Sequence, residues 1–162
     1  MDKSICSRGI IVKGDSVTEQ SLCFNEGCSK LSVYNWVGNI PDPPLTTDIV
    51  EVQFKNTRKS FYRNVNRINL SKGDVIAVEA TPGHDIGTVT LVGWLVKLQM
   101  KKSGVDPNST ELKKIYRKAK PADIEKWLEA VSLEHNTLIR SRQIAADLGL
   151  NMKIGDVEYQ GD

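Results

Sequence analysis

A change of hydrophobic period partway along the chain constrains its fold more than any other feature. Val50, Val52 and Phe54 alternate with Glu51, Gln53 and Lys55, and Phe61, Arg63 and Val65 alternate with Tyr62 and Asn64. Asp74 to Ala80, Asp85 to Val92 and Leu95 to Met100 are further β-branched or alternating runs. Successive side chains of a strand point to opposite faces, so a period of two predicts strands. Turn signals at Lys72-Gly73-Asp74, Pro82-Gly83-His84-Asp85 and Gly93 separate the runs. Five short strands at this spacing predict a small, strongly bent sheet or barrel.

The period then becomes helical. Ser109 is placed to cap a helix in which Leu112, Ile115, Tyr116 and Ala119 recur at i, i+3, i+4 and i+7. Pro121 suits the first position of a second helix over 121–148, with Asp123 and Glu125 in its first turn and Gly149 as its stop. The apolar stripe of that helix is Ile124, Trp127, Leu128, Val131, Leu138, Ala145 and Leu148, with His135 beside it. At ~1.5 Å per residue the helix spans about 42 Å, long enough for a lever or a partner-binding arm. Met152 to Gln160 reads as one more strand, with Met152, Ile154 and Val157 inward. The expected class is α+β: a small bent β-sheet or barrel module, two helices, and the start of a second α+β module.

These patterns divide the chain into three regions. Residues 1–48 form an irregular, Cys-containing N-terminal region closed by the Pro-rich linker Asn39-Ile40-Pro41-Asp42-Pro43-Pro44. Tyr34, Asn35 and Trp36 are expected to pack onto the β module. Residues 49–103 form that module. Residues 104–162 form a helical and α+β part whose last strand has no hairpin partner, so the part is expected to be incomplete or the strand to pair with another element.

Of the 162 residues, 40% are hydrophobic and 26% charged, a composition expected of a folded soluble protein. No run reaches the ~18 apolar residues of a membrane helix, and none near Met1 suits a signal peptide. The expected location is cytoplasmic, without direct membrane insertion. The net charge of +2 is uneven: residues 49–103 carry nine Lys/Arg against four Asp/Glu, whereas both flanking regions are net acidic. An anionic partner is therefore expected to dock on the middle block.

Within that block, Lys55, Arg58, Lys59, Phe61, Tyr62 and Arg63 are the candidate nucleic-acid or partner-binding residues. Cations neutralise phosphates and aromatic rings stack on unpaired bases. Alternation puts Phe61 and Arg63 on one face and Tyr62 on the other. An exposed hairpin whose charges protect a sheet edge, or a site for an acidic protein, fits the same residues. As exposed charges, Arg58, Lys59 and Arg63 are expected to tolerate Ala with little change in stability.

Cys6, Cys23 and Cys28 are the candidate metal ligands. Thiolates suit zinc or iron, but a tetrahedral site takes about four ligands, which leaves His84, His135, the missing C-terminus or a partner to supply the rest. Reduced or buried thiols are the alternative. No catalytic residues are assigned. His84 adjoins Asp85, yet no nucleophile stands at motif spacing, so no enzymatic activity is expected.

The segments Phe54–Asn64, Gly73–Ala80, Asp85–Val89, Leu98–Lys102, Leu112–Ile115, Asp147–Lys153 and Asp156–Asp162, in that order, resemble the bacterial YaaT/RicT family. That family shares the C-terminal domain of the yeast polymerase-suppressor protein. The resemblance spans residues 49–162. It implies a cytoplasmic, non-enzymatic regulatory subunit of an RNA-processing complex. The implied partners are two small helical regulatory proteins and the endoribonuclease RNase Y, with RNA as a further ligand. Sporulation is among the processes it touches. It also implies an iron–sulfur cluster in the intact complex, and a family sequence that continues beyond Asp162, so that this chain is truncated. A direct RNA- or DNA-binding module is the alternative reading, carried by the basic middle block.

Overall fold

The structure, a computed structural model, describes residues 3–5, 10–12, 22–24, 35–36, 40 and 47–160. Three short strands, β1 (Lys3–Ile5), β2 (Ile10–Val12) and β3 (Leu22–Phe24), pair antiparallel in that order, with Ile11 opposite both Ser4 and Cys23. Residues 1–48 are therefore not irregular throughout. Three-residue strands are too short to display a period, but β-branched Ile10, Ile11 and Val12 suit a pleated ladder. Trp36, expected to pack onto the β module, is 86% exposed. Tyr34 and most of the Pro-rich linker lie outside the described residues.

The alternation from residue 49 onward produces a second sheet of β4 (Ile49–Gln53), β5 (Lys59–Arg63), β6 (Val75–Glu79), β7 (His84–Leu91) and β8 (Ile115–Lys118). Its order is β5-β4-β7-β6-β8, with every named pair antiparallel. The two edges then meet. Arg63 bridges to Lys114 in parallel, and the Arg63 N–H donates to the Lys113 carbonyl at 2.8 Å. Closure gives backbone groups of both edges partners and makes the sheet a small barrel.

Alternating residues fill its interior: Val50, Val52, Phe54, Tyr62, Ile76, Val78, Val89 and Ile115 form one buried cluster. Phe54 and Tyr62 meet edge to face, with ring centroids 5.9 Å apart. Gly87 makes this interior possible. A Cβ there would lie 2.4 Å from Val52 Cγ1 and 2.8 Å from the Phe54 ring.

Helices cover two patches of the outer face. Helix α1 (Leu95–Lys102) sets Val96 and Met100 against Ile49, Phe61 and Leu91. The sequence reading makes Leu95–Met100 a strand, because Val96, Leu98 and Met100 alternate. In the helix Val96 and Met100 share a buried face at i, i+4, and Leu98 points to solvent.

Helix α2 (Pro121–Asp147) sets Ile124 and Trp127 against Ala77 and Ile86. Burying a side chain as large as Trp127 stabilises by roughly 2–3 kcal/mol. The start of α2 is dictated by its sequence. Pro121 is in the first turn, and Asp123 accepts the Lys120 N–H at 2.7 Å. Asp123 also accepts from Nη1 and Nη2 of Arg117, and that contact lowers its pKa despite burial acting the other way.

The helix expected from Ser109 does not form. Residues 115–118 are β8, which pairs with β6 and contributes only Ile115 to the core. The expected strand over 152–160 is absent too; residues 150–160 carry neither helix nor strand. Leu148, expected inward, is 67% exposed, and the residue of α2 that turns in beside His135 is Glu134, not the exposed His135. Among the described residues no helix is long and apolar enough to cross a membrane.

Candidate functional site

The turn between β4 and β5 is tight. Phe54 N–H donates to the Arg58 carbonyl at 2.9 Å, Arg58 N–H donates to that of Lys55 at 3.1 Å, and Asn56 takes a φ of 53°. This conformation suits Asn better than most residues. It projects Lys55 and Arg58 toward α2 and the segment beyond its C-terminus.

Both cations are consumed there. Lys55 Nζ lies 3.0 Å from Glu134 Oε2, 2.7 Å from Asp156 Oδ1 and 2.6 Å from the Val157 carbonyl. Its backbone N–H donates to Glu158 Oε1 at 3.0 Å, and Asn56 Nδ2 donates to Asp156 at 2.7 Å. Arg58 donates from Nε and Nη2 to the two oxygens of Glu158, and from Nη2 to buried Asp85 at 2.8 Å. Its guanidinium also sits 3.8 Å over the Phe54 ring.

Burial disfavours the charged forms of Lys55 and Arg58, yet the carboxylate bonds outweigh it and raise both pKa values. The bond from Lys55 holds the Asp156 carboxyl below its ordinary range.

The segment continues back along α2. Tyr159 N–H donates to Glu134 at 3.1 Å, the Tyr159 hydroxyl bonds Thr137 at 3.0 Å, and Arg142 donates to the carbonyls of Ile154 and Gly155. Nothing local in the sequence pairs Lys55 with residues 156–158. The charge imbalance between blocks is its only trace: an excess of cations in one part and of carboxylates in another.

The other residues of the basic segment do not join this cluster. Lys59 pairs with Glu51, which also accepts the Thr90 hydroxyl at 2.7 Å. Phe61 is buried beneath α1, and Tyr62 lies in the barrel, where burial and nearby Asp85 push its phenol up to about 12. Arg63 reaches the Pro107 carbonyl at 3.0 Å and stands 4.0 Å from Asp48. The aromatic rings are thus packing residues rather than exposed stacking platforms. Cations with no ion pair among the described residues are found elsewhere, including Lys97, Lys101 and Lys102 on the exposed face of α1.

Cys6 and Cys28 lie outside the described residues, and Cys23 is described only as part of the β3 backbone. Among the described residues no group of three or more His, Cys, Asp or Glu is arranged to hold a metal ion. His84 is the first residue of β7 rather than a turn residue, and it lines a cleft with Asp123, Lys126 and Tyr159.

A second feature is an apolar surface. Beyond the core contacts of α2, Leu133, Ile139, Ile144 and Leu148 are exposed, and so are Leu150 and Met152 just after it. Ala145, Ala146, Leu150, Met152 and Ile154, together with Arg142 and Lys153, line a cleft of about 390 Å³. Polar residues would be expected at these positions if solvent were their permanent environment.

Residues 113–162 match the PSP1 C-terminal conserved region. The match runs from two residues before β8 through α2 and the segment bound by Lys55 and Arg58, and is consistent with the likeness to the YaaT/RicT family. It points to a regulatory or nucleic-acid-related role. No curated protein and no solved structure matches the chain.

Proposed function

We propose that the protein is a non-enzymatic regulatory subunit that joins an RNA-processing assembly through protein–protein contacts made by distal α2 and residues 148–154. One observation carries this reading: Ile144, Leu148, Leu150 and Met152, close together in sequence, are all exposed apolar side chains, and Leu150 and Met152 line a cleft with Ala145, Ala146 and Ile154. The basic segment, which would favour an RNA ligand, is mostly engaged in internal pairs. By the resemblance, the assembly is the RNase Y-associated one, with small helical proteins as immediate partners and a cytoplasmic location. An iron–sulfur cluster in the intact complex, with Cys6, Cys23 and Cys28 among its ligands, belongs to the same proposal.

A direct RNA- or DNA-binding role is the second reading, and Lys97, Lys101 and Lys102 favour it. They sit at i, i+4 and i+5 on α1 with no carboxylate engaged among the described residues. Salt separates the two. Phosphate contacts lose affinity steeply between low and moderate salt, whereas an apolar interface changes little. Co-purification of the named partners that survives 0.5 M salt supports the first reading. Retention of RNA alone, abolished by that salt, supports the second.

A further inference from the structure

The cationic β4–β5 turn holds residues 156–158 in the manner of a bound ligand. The segment has no helix or strand of its own, and its carboxylates do the holding. Arg58 forks onto Glu158, Lys55 takes Asp156 and the Val157 carbonyl, and the Lys55 N–H adds a backbone donor to Glu158. On the far side Glu134 accepts the Tyr159 N–H. The site therefore reads two carboxylates spaced i, i+2 together with the adjoining main chain. We infer that this is a recognition groove for an acidic Asp-x-Glu peptide, occupied in cis by residues 156–158, and open to the same kind of segment from another protein when the resident one is displaced.

The groove is built to outlast its occupant. Asp85 and Phe54 still hold Arg58 when Glu158 leaves, and Glu134 still holds Lys55 when Asp156 leaves. The cationic groups thus stay positioned without the segment. A tethered occupant acts at a high effective concentration and excludes competitors, so the free chain presents little vacant groove. The spacing of donors favours a peptide over a nucleic acid, because a main-chain carbonyl and a main-chain N–H are part of what is read. The residues that form this groove are not those that line the apolar cleft of distal α2.

The test uses the full chain and a fluorescent peptide with the sequence of residues 150–160. In the double variant D156N/E158Q the resident segment loses its two anionic contacts while the groove keeps all its residues. Charge-assisted bonds of this kind are strong enough that the variant should bind the peptide about tenfold tighter than the unmodified chain. A peptide with Asn and Gln in place of the two acids should not bind, and adding K55A to the variant should remove the gain. A thermal melt checks that the barrel stays folded. If the double variant melts early, D156N alone serves, with a smaller gain expected. Equal peptide affinity for variant and unmodified chain overturns the inference. So does a gain confined to a uridine-rich RNA oligonucleotide, which would make the groove a phosphate site.

Discussion

Arg58 donates through Nε and Nη2 to both carboxylate oxygens of Glu158, at 2.7 and 3.0 Å, across 100 residues of sequence. The same Nη2 reaches Asp85, whose side chain is only 3% exposed. One guanidinium thus ties the β4–β5 turn to β7 and to the segment beyond α2. Replacing Arg58 with Ala takes the guanidinium away from buried Asp85, which keeps the Ile86 N–H as a donor, and losing one partner of such a pair costs more than the pair itself contributes. R58A should lower unfolding free energy by about 2 kcal/mol, measured by denaturant titration. This differs from the small effect expected for an exposed charge, and a change below ~0.5 kcal/mol would place Arg58 among ordinary surface residues.

Gly87 gives a prediction inside the barrel. An added Cβ meets Val52 and Phe54, both buried and neither free to retreat. G87A should destabilise by about 1–3 kcal/mol, the usual cost of overpacking a filled core. The readout is a lower urea midpoint with an unchanged slope. An unchanged midpoint would mean that the barrel interior yields more than its packing implies.

The Lys55–Asp156 contact makes the anchoring of residues 150–160 pH-dependent at both ends. The Asp156 pKa is lowered from 3.8 by the Lys55 bond, against the effect of burial. Its contribution is present above that value and is lost as pH falls through the lower folded one. For Lys55, burial acts downward but the bonds to Asp156 and Glu134 raise the pKa above 10.5. Its contribution is complete below 10.5 and is lost as pH rises through the raised value. Val157 methyl resonances, beside the carbonyl that Lys55 holds, should therefore stay constant through the neutral range and shift toward free-peptide positions at both extremes. A shift centred near neutral pH would assign the anchoring to other groups.

Much of this fold is legible in the sequence, and the misreadings have physical causes. Strands β4 to β7 declare themselves because each has one face in the barrel and the other beneath a helix or against solvent. Helix α2 declares itself through Pro121, Asp123 and a long stripe. Leu95–Lys102 is eight residues long, so Val96, Leu98 and Met100 satisfy a period of two as well as Val96 and Met100 satisfy i, i+4. Leu112, Ile115, Tyr116 and Ala119 fit a helical period, but the open edges of β6 and β5 recruit residues 113–118 into the barrel, a tertiary demand no local pattern carries. For the candidate site, sequence supplies the cations at Lys55 and Arg58 but not their partners. Asp85, Glu134, Asp156 and Glu158 come from three distant parts of the chain.

The apolar surface around Ile144 should be dispensable for folding. Ile144 is 43% and Met152 55% exposed, and neither belongs to the buried core, so the double variant I144D/M152D should keep its unfolding free energy within about 0.5 kcal/mol per site. A larger loss, seen by thermal or urea denaturation, would mean that these residues pack within the chain and are not presented to a partner.

The central claim, that this surface docks a protein partner, is tested most directly by co-purification of the tagged full chain with RNase Y and the small helical proteins at 0.5 M salt. Quantitative recovery by the unmodified chain and loss of recovery by the folded I144D/M152D variant is the result expected. Equal recovery by both would contradict the claim and move the interface elsewhere on the protein.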